Sequence, residues 1–145
     1  MNVLWEEYVL KTLQNFADHH PNQNLKVTGQ ESKQFYGRFR SIRPDIVLEQ
    51  DGTKYVIDTK WKRPFNNSAS IEDLRQMYTY ARFWNADKVM LLYPGEPYDS
   101  GYQHYPNKND HDSDFHQCKT LFVNILEGDK IDNNLAFKII QHLNN

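Results

Sequence analysis

The pair Asp51-Gly52 constrains this chain more than any other two residues. A type I′ turn needs positive φ at both central positions, and Asp-Gly is among the few pairs that supply it with little strain. Short apolar runs lie on either side. Asp45-Ile-Val-Leu48 follows Pro44, and Tyr55-Val-Ile57 is rich in β-branched residues. With residues 51 and 52 as the loop, Gln50 faces Thr53. Pairing then runs outward through Glu49–Lys54, Leu48–Tyr55, Val47–Val56 and Ile46–Ile57 to Asp45–Asp58. Lys60 shares the face of Asp58, two residues before it, because strand side chains alternate. The register thus predicts two carboxylates and one ammonium together at one end of a hairpin. Carboxylates that close repel, and one pKa rises unless a cation intervenes. A hard divalent ion held by oxygen ligands is the natural counter-charge. The competing reading is a plain cluster of charges at a strand end.

At 145 residues the chain is long enough to bury a proper core, and it reads as a single domain over 1–145. Its net charge of −2 carries no general basic excess, so any DNA contact falls to a local patch. Cys118 is its one cysteine, which precludes an internal disulfide and suits a reducing cytoplasm. No run approaches the ~20 apolar residues of a membrane span, and the N-terminus has no signal-peptide pattern. The expectation is a cytoplasmic protein with no membrane partner.

Residues 2 to 18 read as an amphipathic helix, with Val3, Leu4, Tyr8, Leu10, Leu13 and Phe16 at spacings suited to one buried face. Residues 25 to 29 make a short strand, and 30 to 43 are mixed and polar. After the hairpin and a polar loop at 64–68, Ser70 N-caps a second helix with Asp73 at N3, a variant of the capping box. Ile71, Leu74, Met77, Tyr78, Ala81 and Trp84 give that helix a broad apolar face. Lys88 to Tyr93 is a compact strand, 94 to 117 a long polar segment, Leu121 to Leu126 an edge strand, and Leu135 to Leu143 a closing helix. The order describes an α/β fold in which a mixed sheet is flanked by helices.

Pro44-Asp45 and Asp58-Thr59-Lys60 fit the signature of the PD-(D/E)XK nuclease superfamily, whose restriction-endonuclease-like core resembles this element order. Gln76-Met-Tyr-Thr-Tyr80 resembles the QxxxY motif of the RecB-like branch. Trp5-Glu6 is similar to the Phe-Glu opening of the nuclease domain of McrC-type proteins, from the modified-cytosine restriction system McrBC. Arg43-Pro-Asp-Ile-Val-Leu48, Ile57-Asp-Thr-Lys-Trp-Lys62 and Glu72-Asp-Leu-Arg-Gln-Met-Tyr-Thr-Tyr-Ala81, followed by Leu91-Leu-Tyr-Pro94, resemble that domain over residues 3 to 94.

The resemblance implies an endonuclease of a restriction, phage-defence system that hydrolyses DNA phosphodiesters with Mg2+, for which Mn2+ can substitute. It implies catalytic roles for Asp45, Asp58, Lys60, Glu6 and Gln76. Asp45, Asp58, the Thr59 carbonyl and, through water, Glu6 would hold the metal. Lys60 would position or deprotonate the attacking water and offset transition-state charge. Gln76 would orient the water or a phosphate oxygen, and Tyr80 would hydrogen-bond the DNA backbone. The implied partner is an McrB-like AAA+ GTPase ring, engaged through an N-terminal domain expected to be missing from this chain. Arg43, Lys62 and Arg63, with Arg38 and Arg40, flank the hairpin end as phosphate contacts or as a solvated basic fringe. Trp61 either stacks on a base or packs against the core. The segment Asp110–Cys118 is not a calcium loop, since Phe115 stands where the glycine belongs and Leu121 where the terminal glutamate belongs. Nothing in it fixes a zinc tetrahedron, so it reads as a solvated loop. The other functional classes are a RecB-like repair exonuclease and a non-catalytic DNA-binding or assembly module.

Overall fold

The computed structural model describes residues 3–106, 115–128, 130–131 and 134–145. In chain order it contains α1 (Val3–His19), β1 (Leu25–Gly29), β2 (Lys33–Tyr36), β3 (Arg40–Ile42), β4 (Ile46–Gln50) and β5 (Thr53–Thr59). Then come α2 (Ile71–Phe83), β6 (Lys88–Pro94), β7 (Tyr98–Asp99), β8 (Gln103–His104), β9 (Gln117–Val123), β10 (Leu126–Glu127), β11 (Lys130–Ile131) and α3 (Leu135–Leu143). Asp51 and Gly52 both take positive φ, 51° and 84°. The ladder between β4 and β5 is the predicted one, from Gln50–Thr53 through Val47–Val56 to Ile46–Ile57.

Among the described residues the main sheet runs β1-β4-β5-β6-β9-β7, with β8 also on β9. β4 pairs antiparallel with both β1 and β5, β5, β6 and β9 are parallel, and β7 and β8 return antiparallel on β9. The parallel step from β5 to β6 needs a crossover, which α2 supplies. The result is a mixed sheet covered by helices on both faces.

Strand alternation sorts the core into two layers. Ile46, Leu48, Ile57, Met90, Leu92 and Leu121 face α1 and α3, where Trp5, Val9, Leu13, Leu135, Ile139 and Leu143 meet them. Val47, Val56, Val89, Leu91 and Phe122 face the other way, onto Met77, Tyr80, Ala81 and Trp84 of the α2 region. Gly29 lets α1 approach β1 closely, since a Cβ there would lie 2.4 Å from Leu10 Cδ2.

The structure differs from the sequence reading in four places. The buried stripe of α1 is Trp5, Val9 and Leu13, while Val3 and Leu4 are exposed. On α2, Tyr80 is buried and Ile71 is exposed. The strand expected at 121–126 on an edge is β9, which starts at Gln117 and lies inside the sheet between β6 and β7. Lys119 disguised it. Its fully buried ammonium donates to Asp99 Oδ2 at 3.0 Å and to the His142 carbonyl at 2.6 Å, so a lysine stands at a core position. The same Asp99 oxygen is 2.6 Å from His142 Nδ1, which ties β7, β9 and the end of α3 together. Within the long polar segment expected at 94–117, β7 and β8 are short strands, and residues 107–114, which include most of the run from Asp110 read as a solvated loop, lie outside the described residues. No described helix is long and apolar enough to cross a membrane.

Leu13 is fully buried where α1 meets the sheet. Leu13→Ala is expected to lower unfolding stability by about 2–5 kcal/mol, read as a fall in the urea midpoint with an unchanged slope.

Candidate active site

The site forms where β4 begins and β5 ends, on the α2 side of the sheet. Asp58 has the parity of Val56, and both face α2, as does Lys60 two residues on. Asp45 lies just before β4, and its backbone N–H donates to Asp58 Oδ1 at 3.4 Å. Asp45 Oδ2 accepts from the Thr59 N–H at 2.8 Å and from Thr59 Oγ1 at 2.7 Å, which fixes the carboxylate against the opposite strand. Burial first, and then the charge of Asp58, push the Asp45 carboxyl above its ordinary value, and the Thr59 bonds only partly offset this.

Lys60 Nζ is 2.9 Å from Asp58 Oδ2 and 3.4 Å from Asp73 Oδ1, and it donates to Gln76 Oε1 at 3.0 Å. Burial alone would lower its pKa, but Asp58 and then Asp73 outweigh that and raise it. At neutral pH Lys60 is therefore a firmly held cation. Gln76 Nε2 donates to the Tyr80 hydroxyl at 3.1 Å, and that hydroxyl donates to the Arg43 carbonyl at 3.2 Å. One hydrogen-bonded line thus runs from Asp58 through Lys60, Gln76 and Tyr80 back to the residue two before Asp45. Burial, followed by the charges of Asp58 and Asp45, pushes the Tyr80 hydroxyl up to about 12, so it stays protonated and able to donate.

The structure brings Asp45, Asp58, Thr59, Lys60, Gln76 and Tyr80 together. Tyr80 is only 5% exposed, with its hydroxyl engaged inside the protein. Glu6 is buried on α1, where it accepts from Gln30 Nε2 at 3.0 Å. The Gln30 N–H in turn donates to the Asp45 carbonyl at 3.1 Å, so Glu6 approaches the site through Gln30. Among the described residues no three Asp, Glu, His or Cys side chains converge as a metal-binding group. Lys62 is held by Asp73 at 2.6 Å, whereas the Arg43 and Arg63 side chains are exposed. Trp61 packs at 5.9 Å on Trp5 and is half exposed. With Lys62, Arg63, Pro94, Gly95 and residues 124–126, it lines a cleft next to the strand ends.

Sequence reasoning missed two members. Asp73 was read as a cap residue, and its N–H does bond Ser70 Oγ at 3.1 Å, but its carboxylate also serves both lysines. Burial opposes its ionisation, yet Lys62 first, then Lys60 and Ser70, hold its carboxyl below the ordinary value. The signal was present, since residues three apart on a helix are neighbours and Gln76 follows Asp73 by three. Gln30 had no such signal, because its place depends on a positive φ of 56° after β1.

The fold and site together define a mixed α/β domain with two carboxylates and a lysine at the strand ends of a hairpin. The family described as McrBC 5-methylcytosine restriction system component matches residues 1–94, and the chain belongs to that family. No curated protein matches the chain. Among solved structures, it is similar in fold to a chain in a half-complex from the tetradecameric assembly of Thermococcus gammatolerans McrB AAA+ hexamers with bound McrC. The TM-score is 0.62 at 21% identity, covering 100% of this chain and 33% of that one. A crystal structure of a protein of unknown function gives 0.37 at 20% identity over 59% of this chain and 46% of the other, too low to carry an argument. The chain thus spans a third of the length of the McrB–McrC assembly chain it matches.

The direction of the Asp45 shift fixes a stability effect. Its ionised form is disfavoured in the fold, so stability falls as pH rises from the unfolded value of 3.8 through the raised folded one, and the deficit persists at neutral pH. Asp73 contributes in the opposite sense, with stability present above 3.8 and lost as pH falls through its lowered value. An amide at position 45 keeps an acceptor for Thr59 and removes the repulsion. Asp45→Asn is therefore expected to melt at a higher temperature than the native chain at pH 7 in EDTA, by about 2–4 °C per kcal/mol gained. The gap should close in acid, where Asp45 itself is neutral, as differential scanning fluorimetry across pH will show.

Proposed function

We propose that this chain is the nuclease part of an McrC-type restriction component, a metal-dependent deoxyribonuclease of the PD-(D/E)XK kind. The observation that carries the reading is the meeting of Asp45, Asp58 and Lys60 at the end of one hairpin, at the positions the motif requires. The donor set fits a hard divalent ion. Two oxygen-bearing carboxylates lie together, and the raised Asp45 carboxyl marks a repulsion that a cation would relieve. Asp45, Asp58 and the Thr59 carbonyl would hold Mg2+ or Mn2+, with Glu6 reaching it through water. The bound ion would polarise the scissile phosphate and lower the pKa of water.

The chain's own residues do the rest. Lys60 enters as a cation, because the acids around it raise its pKa, and so it steadies the negative charge that grows on the phosphoryl oxygens. Gln76 and Asp73 hold the Lys60 ammonium in place, and Tyr80 holds Gln76. Arg43 and Arg63, whose side chains are exposed, would meet phosphates. By likeness to the McrB–McrC assembly, an McrB-like AAA+ ring is the proposed partner that supplies motion along DNA and target choice.

Plasmid cleavage by the full chain, with Mg2+ or Mn2+ and with or without an McrB-like ring, tests the reading. Asp58→Ala and Lys60→Ala are expected to lose cleavage while keeping a native circular dichroism spectrum. Unchanged cutting by Asp58→Ala would sink the assignment. Gln76→Ala is expected to slow cutting by about 10²-fold, with Gln76→Glu failing to restore it because a carboxylate cannot donate to Tyr80.

A further inference from the structure

The residues between β1 and the site build a feature that the cleavage chemistry does not use. From Ser32 to Pro44 the chain carries Lys33, Arg38, Arg40 and Arg43 and no acid, in a protein of net charge −2. Among the described residues β2 and β3 pair only with each other, and a bulge between Gln34 and Tyr36 twists the ribbon. Its base is anchored. Lys33 Nζ donates to the Phe83 carbonyl at 2.9 Å and lies 4.8 Å from the centre of the Trp84 ring, and Phe35 packs at 5.3 Å on Phe83. Its tip is free. Tyr36 is 76% and Phe39 94% exposed, and Arg38 and Arg40 are exposed. Among the described residues none of these four side chains has a hydrogen-bond, ion-pair or ring partner.

Large aromatic faces left in water are unfavourable, and here cations stand among them: Arg38 and Arg40 flank Phe39 in the chain, and Arg40 pairs across the ribbon with Tyr36. That interleaving breaks up any apolar patch a protein partner would bury. It matches a single nucleic-acid strand, whose phosphates take guanidinium groups and whose unpaired bases take aromatic faces. A closed duplex presents no such base faces except at its ends. The ribbon is also continuous with the site, since Arg43 follows β3 directly and its carbonyl receives the Tyr80 hydroxyl at 3.2 Å.

We propose that residues 33–43 are an arm that holds an unpaired stretch of DNA strand beside the cleavage site, with Tyr36 and Phe39 stacking on bases and Arg38 and Arg40 on phosphates. That the strand is DNA rests on the nuclease reading above; the arm's preference for unpaired bases does not.

The test is fluorescence anisotropy of the full chain in EDTA, so that nothing is cut, with a labelled oligothymidine of about 20 nucleotides and a duplex of equal length. The native chain should bind the single strand more tightly than the duplex. The double variant Tyr36→Ala/Phe39→Ala should weaken single-strand binding about tenfold or more and leave duplex binding nearly unchanged, while Phe39→Trp should retain it. Arg38→Ala/Arg40→Ala should weaken both and flatten the salt dependence by about two phosphate contacts. Unchanged single-strand binding in the aromatic double variant, or equal loss on both probes, overturns the arm. Because binding is read without metal, a chain that binds through the arm but never cuts overturns the nuclease reading alone. A chain that cuts normally with the aromatic residues removed, and binds as before, overturns the arm alone.

Discussion

The structure depends on an unfavourable pairing held in place by favourable ones. A two-residue turn and the ladder it sets force Asp45 and Asp58 together, and left alone the two charges would push the strands apart. Thr59 ties down one carboxylate and Lys60 the other. α2 then closes over Lys60 with Asp73 and Gln76, so that the helix face toward the hairpin is polar at its start and apolar further on. Each acid is thus specified by a backbone feature, while the lysine is specified by side chains from two elements. That division explains why the hairpin alone predicts where the acids fall but says little about how firmly the cation is held.

The two faces of the sheet serve different ends. The face toward α1 and α3 is almost wholly apolar, apart from the buried Lys119, which Asp99 and a backbone carbonyl neutralise and satisfy. The face toward α2 gives up apolar burial at one end in order to hold ionised groups. Glu6 sits on the first of these layers and reaches the second through Gln30.

Local chemistry carried most of what the sequence disclosed. The turn, the register, the Ser70 cap and the Leu135–Leu143 helix each follow from residues near one another in the chain, and each stands in the structure. The misses have physical causes. β9 escaped notice at its start because a charged residue paired in the interior looks like a surface residue. The α1 stripe was misjudged because the helix turns Trp5, Glu6, Val9 and Leu13 inward, which leaves Val3 and Leu4 in solvent. The β2–β3 ribbon has polar, aromatic and basic residues without alternation, since among the described residues it pairs with no strand of the main sheet. Asp73 was found as a cap but not as a counter-ion, because the second role depends on how α2 docks.

Strand alternation has period two, so the chemistry of this fold is a matter of odd and even. Adding or deleting a single residue within the paired part of β5, between Thr53 and Ile57, would send Asp58 through the sheet, into the layer of Leu13 and Ile139, and strand a carboxylate in hydrocarbon. Length is therefore fixed in the paired strand that carries Asp58. The ribbon tip around Gly37 carries no such arithmetic, because β2 and β3 pair only with each other among the described residues, and a change in its length leaves the acids behind it in register.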